Sequence, residues 1–350
     1  MSLLPLVLLT LSILVQPVTV DRSPDDAPVV GNVTLADAQG LHIQRSADMK
    51  TVVVPWYELR DQAPPAYATR AMQAWQAHDR VKRGDISGAM PLYVSLGKEY
   101  LWEQGPQSMD VCAGLVRCYV ASGRRVLAIE PMLAWFEAES LPGAEDASTP
   151  EQLDDQLRIR SDLPPVFLHI ADDSISDPDP RSSGRTRLIH AYFATVLVEP
   201  EEKPELLEHI QILKREYKAR DPGLIFLEQM VFAQAHTDRS ARIAARDALL
   251  RRTESQHDTW IEVWARLGLG VSLIRDEDLH ARDLGVVHLV HVIVRLPQID
   301  PGLTMLAAEI AESYLHSTQR SAWGSKLMQD ARMNLLGTRA RPGTAGEQTQ

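Results

Sequence analysis

Hydrophobic positions change their period along this chain, and each change marks a different kind of element. From Leu3 to Val15 they run almost unbroken, interrupted only by Pro5, Thr10 and Ser12. Residues 29–35, 41–45 and 51–55 are then short β-favouring runs set apart by polar stretches, and in Leu41-His42-Ile43-Gln44-Arg45 apolar and polar side chains alternate as on a half-buried strand. This pattern predicts a small three-stranded meander ending at Trp56-Tyr57. Three strands are marginal by themselves, so Trp56 is expected to carry contact to the helices that follow.

Beyond Pro64-Pro65 the spacing becomes helical up to Glu139, and from Arg185 onward helical runs follow one another with short connections. Leu206, Ile210, Leu213 and Tyr217 form one apolar stripe; Leu303, Ile310 and Tyr314 form another, and Trp323, Leu327, Ala331 and Leu335 a third. Asp221-Pro222 and Asp300-Pro301 place a capping carboxylate before a Pro of the first turn, which marks two helix starts. Residues 140–184 break the helical pattern. They open on Leu141-Pro142-Gly143, close on Ser182-Ser183-Gly184, and carry between them a polar helix candidate and the apolar run Val166 to Ile170, expected to tuck against a core.

The segments read as follows: 1–20 a signal peptide or N-terminal anchor, 21–64 a leader with the β-meander, 65–139 helical hairpins, 140–184 a linker, 185–336 further helical hairpins, and 337–350 a disordered tail. The fold class is mainly α. Its clearest internal echo is Gly84 to Tyr93 against Gly123 to Met132, where the two glycines lie 39 residues apart and an Ala follows five residues after each, at Ala89 and Ala128. Glycine serves such a tight turn because it takes positive φ without steric cost. The two alanines would let paired helices come close.

Composition narrows the compartment and the partners. The apolar run at residues 3–15 is shorter than the roughly 20 residues that span a bilayer, and Gln16-Pro17 ends it, so it reads as the core of a signal peptide or, if retained, an anchor. The expected location is periplasmic or secreted, with membrane contact only through this segment. A net charge of -11, from 36 basic against 47 acidic residues, opposes attraction to phosphate backbones and excludes nucleic acid as the expected partner. Cys112 and Cys118 lie six apart in a helical stretch, about 9 Å by helix rise, which is too far for a disulfide, so both read as buried thiols.

Within the second helical half, Trp264, Leu267, Gly268 and Val271 follow the spacing W-x2-L-G-x2-Y. This resembles the opening of a tetratricopeptide repeat, with Val271 in place of the aromatic. The small residue of that pattern falls on His280, and its closing Pro arrives late, at Pro297. The resemblance implies an α-solenoid that presents a surface to a peptide or protein. The exported leader, short β segment and divergent hairpins also resemble proteins of the bacterial envelope.

Candidate chemistry is sparse. His288 and His291 are three apart on one helical face and His280 precedes them, which makes the three weak candidates for zinc, although the apolar surroundings favour core histidines. Arg117, Arg124 and Arg125 gather basic charge that could receive a partner's carboxylate or phosphate. Asp172, Asp173, Asp177 and Asp179 lack the glycine that an EF-hand loop requires and are stiffened by Pro178 and Pro180. No catalytic or nucleotide-binding signature occurs, and no cofactor is expected. The expected function is therefore a non-enzymatic binding scaffold. The alternative is a hydrolase or metal-dependent enzyme whose site assembles between helices. A third reading is a support for a larger assembly through the meander.

Overall fold

The computed structural model describes residues 18–20, 28–36, 41–54, 69–103, 106–139, 163–167, 175, 177–178, 182–217, 221–318 and 320–339. The apolar run, Trp56, most of the linker with Asp172, Asp173 and Asp179, and residues 340–350 lie outside them. The chain divides into two units, Met1–Gly114 and Leu115–Gln350.

In the first unit, β1 (Val18–Val20), β2 (Val29–Ala36), β3 (Leu41–Arg45) and β4 (Thr51–Val54) form one antiparallel sheet in that order. The three expected strands are β2 to β4. The added strand is the β-branched stretch Val18-Thr19-Val20, within the segment expected as a signal peptide or anchor, paired with Val29 to Gly31. Val29, Leu41, Ile43 and Val54 bury one face of the sheet, with Val33 and Val52 packed around them. The alternation in β3 thus places its apolar residues inward, as its period of two requires. Gly31 has no room for a side chain, since a Cβ would lie 2.1 Å from the Gln44 carbonyl oxygen.

Helices α1 (Thr69–Lys82) and α2 (Ile86–Tyr100) pack as a pair around Gly84. The first unit ends inside α3 (Pro106–Ala121), and α4 spans Ile129–Glu139. Both echoed glycines take the left-handed backbone, with φ 80° at Gly84 and 74° at Gly123. Each turn is closed alike: Gly84 N–H donates to the Val81 carbonyl and Asp85 N–H to that of Arg80, while Gly123 donates to Val120 and Arg124 to Tyr119. These are the paired bonds of a Schellman cap. The echo departs after the turn. Ala89 is buried within α2, whereas Ala128 is buried in a 3-10 turn, Val126–Ala128, ahead of α4. Cys112 and Cys118 are both buried, and no disulfide joins them.

The second unit continues with α5 (Gly184–Leu197), α6 (Lys203–Glu216), α7 (Pro222–Ala235), α8 (Arg239–Ser255), α9 (Trp260–Ile274), α10 (Leu279–Arg295), α11 (Pro301–Ser317) and α12 (Ser321–Arg339). Consecutive helices pair as α5/α6, α7/α8, α9/α10 and α11/α12. The first helix of each pair also packs on the first helix of the next, α5 on α7, α7 on α9 and α9 on α11. Stacked hairpins of this kind let each unit bury an apolar face that it could not bury alone. The expected caps are present, with Asp221 accepting from the N–H groups of Gly223 and Leu224, and Asp300 from that of Leu303.

A longer echo links the second helices. Asp238 and Asp278, 40 residues apart, each cap a helix by accepting from the N–H two residues on. Four residues after each comes an arginine that returns to the preceding loop, Arg242 to the His236 carbonyl and Arg282 to the Asp276 carbonyl.

Small residues form the seam between α9 and α10. A Cβ on Gly270 would lie 2.6 Å from Leu289 Cδ2, and one on Gly285 would lie 2.8 Å from the Gly270 carbonyl oxygen. His280 lies outside this seam, where the small residue contributed by α10 is Gly285. Trp264 is fully buried at the heart of this stack, with Phe226 and Trp260 ring centroids 6.0 and 5.8 Å away. Two expected stripes are displaced. In α6, Leu207 is the buried residue with Ile210 and Leu213, and Leu206 is only half-buried. In α12, Gly324, Met328 and Ala331 are buried while Trp323 is 70% exposed. The reason lies in Gly324, which approaches the Glu312 backbone so closely that a Cβ would sit 3.2 Å from it. Glycine there sets the helix rotation and turns the neighbouring Trp323 outward.

Candidate functional site

The zinc candidates resolve into a buried acid, an arginine and two imidazoles between α9 and α10. Glu262 follows the capping Thr259 by three residues, so it belongs to the first turn of α9, and it is only 2% exposed. Its Oε2 accepts the Asp258 N–H at 2.8 Å, and its Oε1 accepts from Arg266 at 2.7 Å. His291 Nε2 lies 3.4 Å from the same Oε1. His288 Nδ1 lies 3.5 Å from the Arg266 guanidinium. Burial first, then the positive charge of Arg266, holds His288 down to about 4, so the ring is neutral near pH 7. His291 is lowered for the same reasons, partly offset by Glu262.

His280 stands apart, exposed in the first turn of α10. Among the described residues, no three His, Cys, Asp or Glu side chains are grouped as a metal ion would need. The basic trio is likewise divided. Arg125, 16% exposed, faces Glu309 of α11 at 3.3 Å, while Arg117 and Arg124 are exposed.

Other polar pins join the hairpins and leave no pattern in the sequence. Tyr192 of α5 donates to Glu228 of α7 at 2.7 Å, and Lys214 of α6 meets the same carboxylate at 2.7 Å. Burial together with that carboxylate pushes the Tyr192 phenol far up. Arg246 of α8 reaches Asp276 at 2.6 Å and the Ser272 hydroxyl at 2.7 Å. Arg246 in turn holds Asp276 below the ordinary carboxylate range.

The arrangement most suggestive of recognition is made by residues 163–167, Leu163-Pro164-Pro165-Val166-Phe167. This non-helical segment is buried throughout, against three successive hairpins. Phe167 meets Phe193 of α5 edge-on at 6.0 Å. Gln234 of α7 donates to the Pro165 carbonyl at 3.1 Å, and Arg275, which caps the end of α9, donates to the Phe167 carbonyl at 2.8 Å. Of the run Val166 to Ile170 expected to tuck against a core, Val166 and Phe167 are buried, the preceding Leu163, Pro164 and Pro165 are buried with them, and residues 168–170 lie outside the described set. What sequence reasoning missed is the receiving side. Gln234 is one of two glutamines in an apolar helix and Arg275 an arginine just past a helix end, and nothing in their spacing signals a shared task.

Comparison with family models, with curated proteins and with solved structures finds no match for this chain.

Proposed function

We propose that the chain is a non-enzymatic scaffold of the cell envelope, a tetratricopeptide-like stack of hairpins that binds a peptide or protein surface. The observation that carries this reading is the docking of residues 163–167 across α5, α7 and α9. The stack grips them by donating to backbone carbonyls from fixed side chains and by covering apolar side chains. That chemistry suits irregular peptide in general, because carbonyls are common to every sequence. Trp264, Leu267, Gly268 and Val271 are all buried in α9, in keeping with the repeat resemblance. Export is supported by the apolar run at residues 3–15. No helix of the described residues is long and apolar enough to cross a membrane.

A photoactivatable cross-linker placed in living cells at exposed Ile225 of α7, and separately at exposed Leu250 of α8, tests the reading. A scaffold yields a defined cross-linked protein from one face. Absence of any partner from both positions, together with turnover of a small ester or peptide by the purified chain, overturns it.

The enzymatic alternative rests on the proximity of Glu262, His288 and His291. Stoichiometric zinc that disappears in His288→Ala would favour it over the scaffold.

A further inference from the structure

Residues 163–167 fill their site with one hydrogen bond too few. The Gln234 side chain donates to two carbonyls, those of Pro165 and Met230, which fixes its orientation and leaves its Oε1 buried without a donor. The cause lies in the segment itself. Pro164 and Pro165 have no N–H to offer, and the Val166 N–H turns back to the Pro164 carbonyl at 2.7 Å. A buried acceptor left unpaired costs free energy that a better-matched peptide recovers. In an extended peptide the corresponding N–H points away from its own chain and is free to meet the Gln234 amide.

Charge is mismatched at the other end of the segment. Arg275 donates to the Phe167 carbonyl at 2.8 Å, and among the described residues no carboxylate pairs with it. Lys203, half-buried at the start of α6, has its pKa lowered first by burial and then by the Arg275 charge, while Glu199 opposes both. Two cations thus lie near one another where the segment supplies a single neutral oxygen. A guanidinium fork holds the two oxygens of a carboxylate side by side, with bonds about twice as strong as those to a neutral acceptor. Arg275 is exposed, so a ligand reaches it from solvent.

One chemistry removes both mismatches. A peptide that ends at the place of Phe167 presents a carboxylate to Arg275 instead of a carbonyl, while apolar side chains still fill the places of Val166 and Phe167, which are 0% and 6% exposed. An aromatic last residue keeps the edge-on contact with Phe193.

We propose that residues 163–167 are an internal stand-in, and that the site receives the free C-terminus of a partner protein: extended, with an apolar residue before an aromatic last residue whose carboxylate Arg275 and Lys203 hold. This rests on the peptide-scaffold reading above and specifies its ligand. The internal segment keeps the apolar site covered until such a chain end displaces it.

Hydrogen exchange of the full-length native chain tests this, with synthetic Leu-Ala-Ala-Val-Phe added either as the free acid or as the C-terminal amide. The alanines leave the peptide free to extend. Millimolar free acid is expected to speed exchange of the Val166 and Phe167 amides as the segment is displaced, and the amide form to need about tenfold more for the same effect. Arg275→Gln should remove that difference. In a second variant, Val166→Ser with Phe167→Ser loosens the internal segment and leaves the receiving side intact; fluorescence anisotropy of labelled free acid should show binding about tenfold tighter or more than to the native chain. Circular dichroism checks the folding of each variant, and the native chain decides the question if the double variant does not fold. Exchange at Val166 and Phe167 indifferent to the peptide, equal potency of acid and amide, or a preference for the acid that survives Arg275→Gln overturns the proposal. A defined partner cross-linked at Ile225 or Leu250 alongside any of these results leaves the scaffold reading in place and removes only the C-terminal ligand.

Discussion

Replacing Gly285 with alanine tests the seam on which the hairpin stack depends, because two opposing effects meet at that residue. A methyl group there would lie 2.8 Å from the Gly270 carbonyl oxygen and 2.8 Å from both the Ile274 backbone nitrogen and its Cγ2. Ordinary contacts are more than half an ångström longer, and two of the three atoms are main chain, so α10 must lift from α9. Overpacking of this kind costs about 1–3 kcal/mol, towards the upper end where backbone cannot move aside. Alanine also favours helix over glycine by about 1 kcal/mol. The net expectation is a loss of about 1–2 kcal/mol. For a unit of more than 200 residues, at about 2–4 °C per kcal/mol, the melting temperature falls by about 2–8 °C. Thermal and urea unfolding followed by circular dichroism measure this, with the urea midpoint lower and its slope unchanged. Gly302→Ala is the control, since its Cβ would meet only Asp300 Oδ1 at 3.3 Å, and it should leave stability unchanged or higher. If Gly285→Ala melts at or above the native temperature, helix propensity alone governs the site and the close α9/α10 approach is refuted.

Other expectations follow from the same geometry. Glu262→Ala strands Arg266 and the Asp258 N–H in a buried site and should cost about 3–5 kcal/mol in urea unfolding, while Glu262→Leu with Arg266→Leu should recover much of that; an additive double variant would deny the coupling. His288 binds its proton less readily folded than unfolded, so stability should fall as pH drops from about 6.5 towards 4, by about 3 kcal/mol, and level off below; His288→Asn should flatten that slope, and a native chain without it would contradict the burial of the ring. Gly84→Ala and Gly123→Ala meet no atoms within 4 Å but force alanine to φ 80° and 74°, so each should lose about 1 kcal/mol or somewhat more through backbone strain alone, and unequal losses would show that the two turns are not equivalent.

Local periodicity and turn chemistry were enough to read the helical class, the strands β2 to β4, the glycine turns at residues 84 and 123, and the capping aspartates 221 and 300. Each of these depends on contacts within a few residues, where side-chain type constrains the backbone directly. The imidazole pair was visible as a spacing, yet its meaning depended on Glu262 and Arg266, which lie more than twenty residues earlier and reach it only because α9 and α10 fold back on one another. In α12 the tryptophan looked like the core residue because burial follows size on average. The close approach at Gly324 reversed that choice, and no pattern within the helix records which neighbour will come near.

The sequence by itself determined the helical class, the strands β2 to β4 and the capped or glycine-closed helix ends, since backbone preference and capping are local properties, while β1 needed its pairing with β2 to form. Only the tertiary structure decided that residues 163–167 are gripped by three hairpins, that Arg125 meets Glu309, and that Trp323 faces solvent. Those outcomes depend on how rigid helices rotate about their axes when small residues let them touch, and such rotations are fixed by packing between segments far apart in the chain.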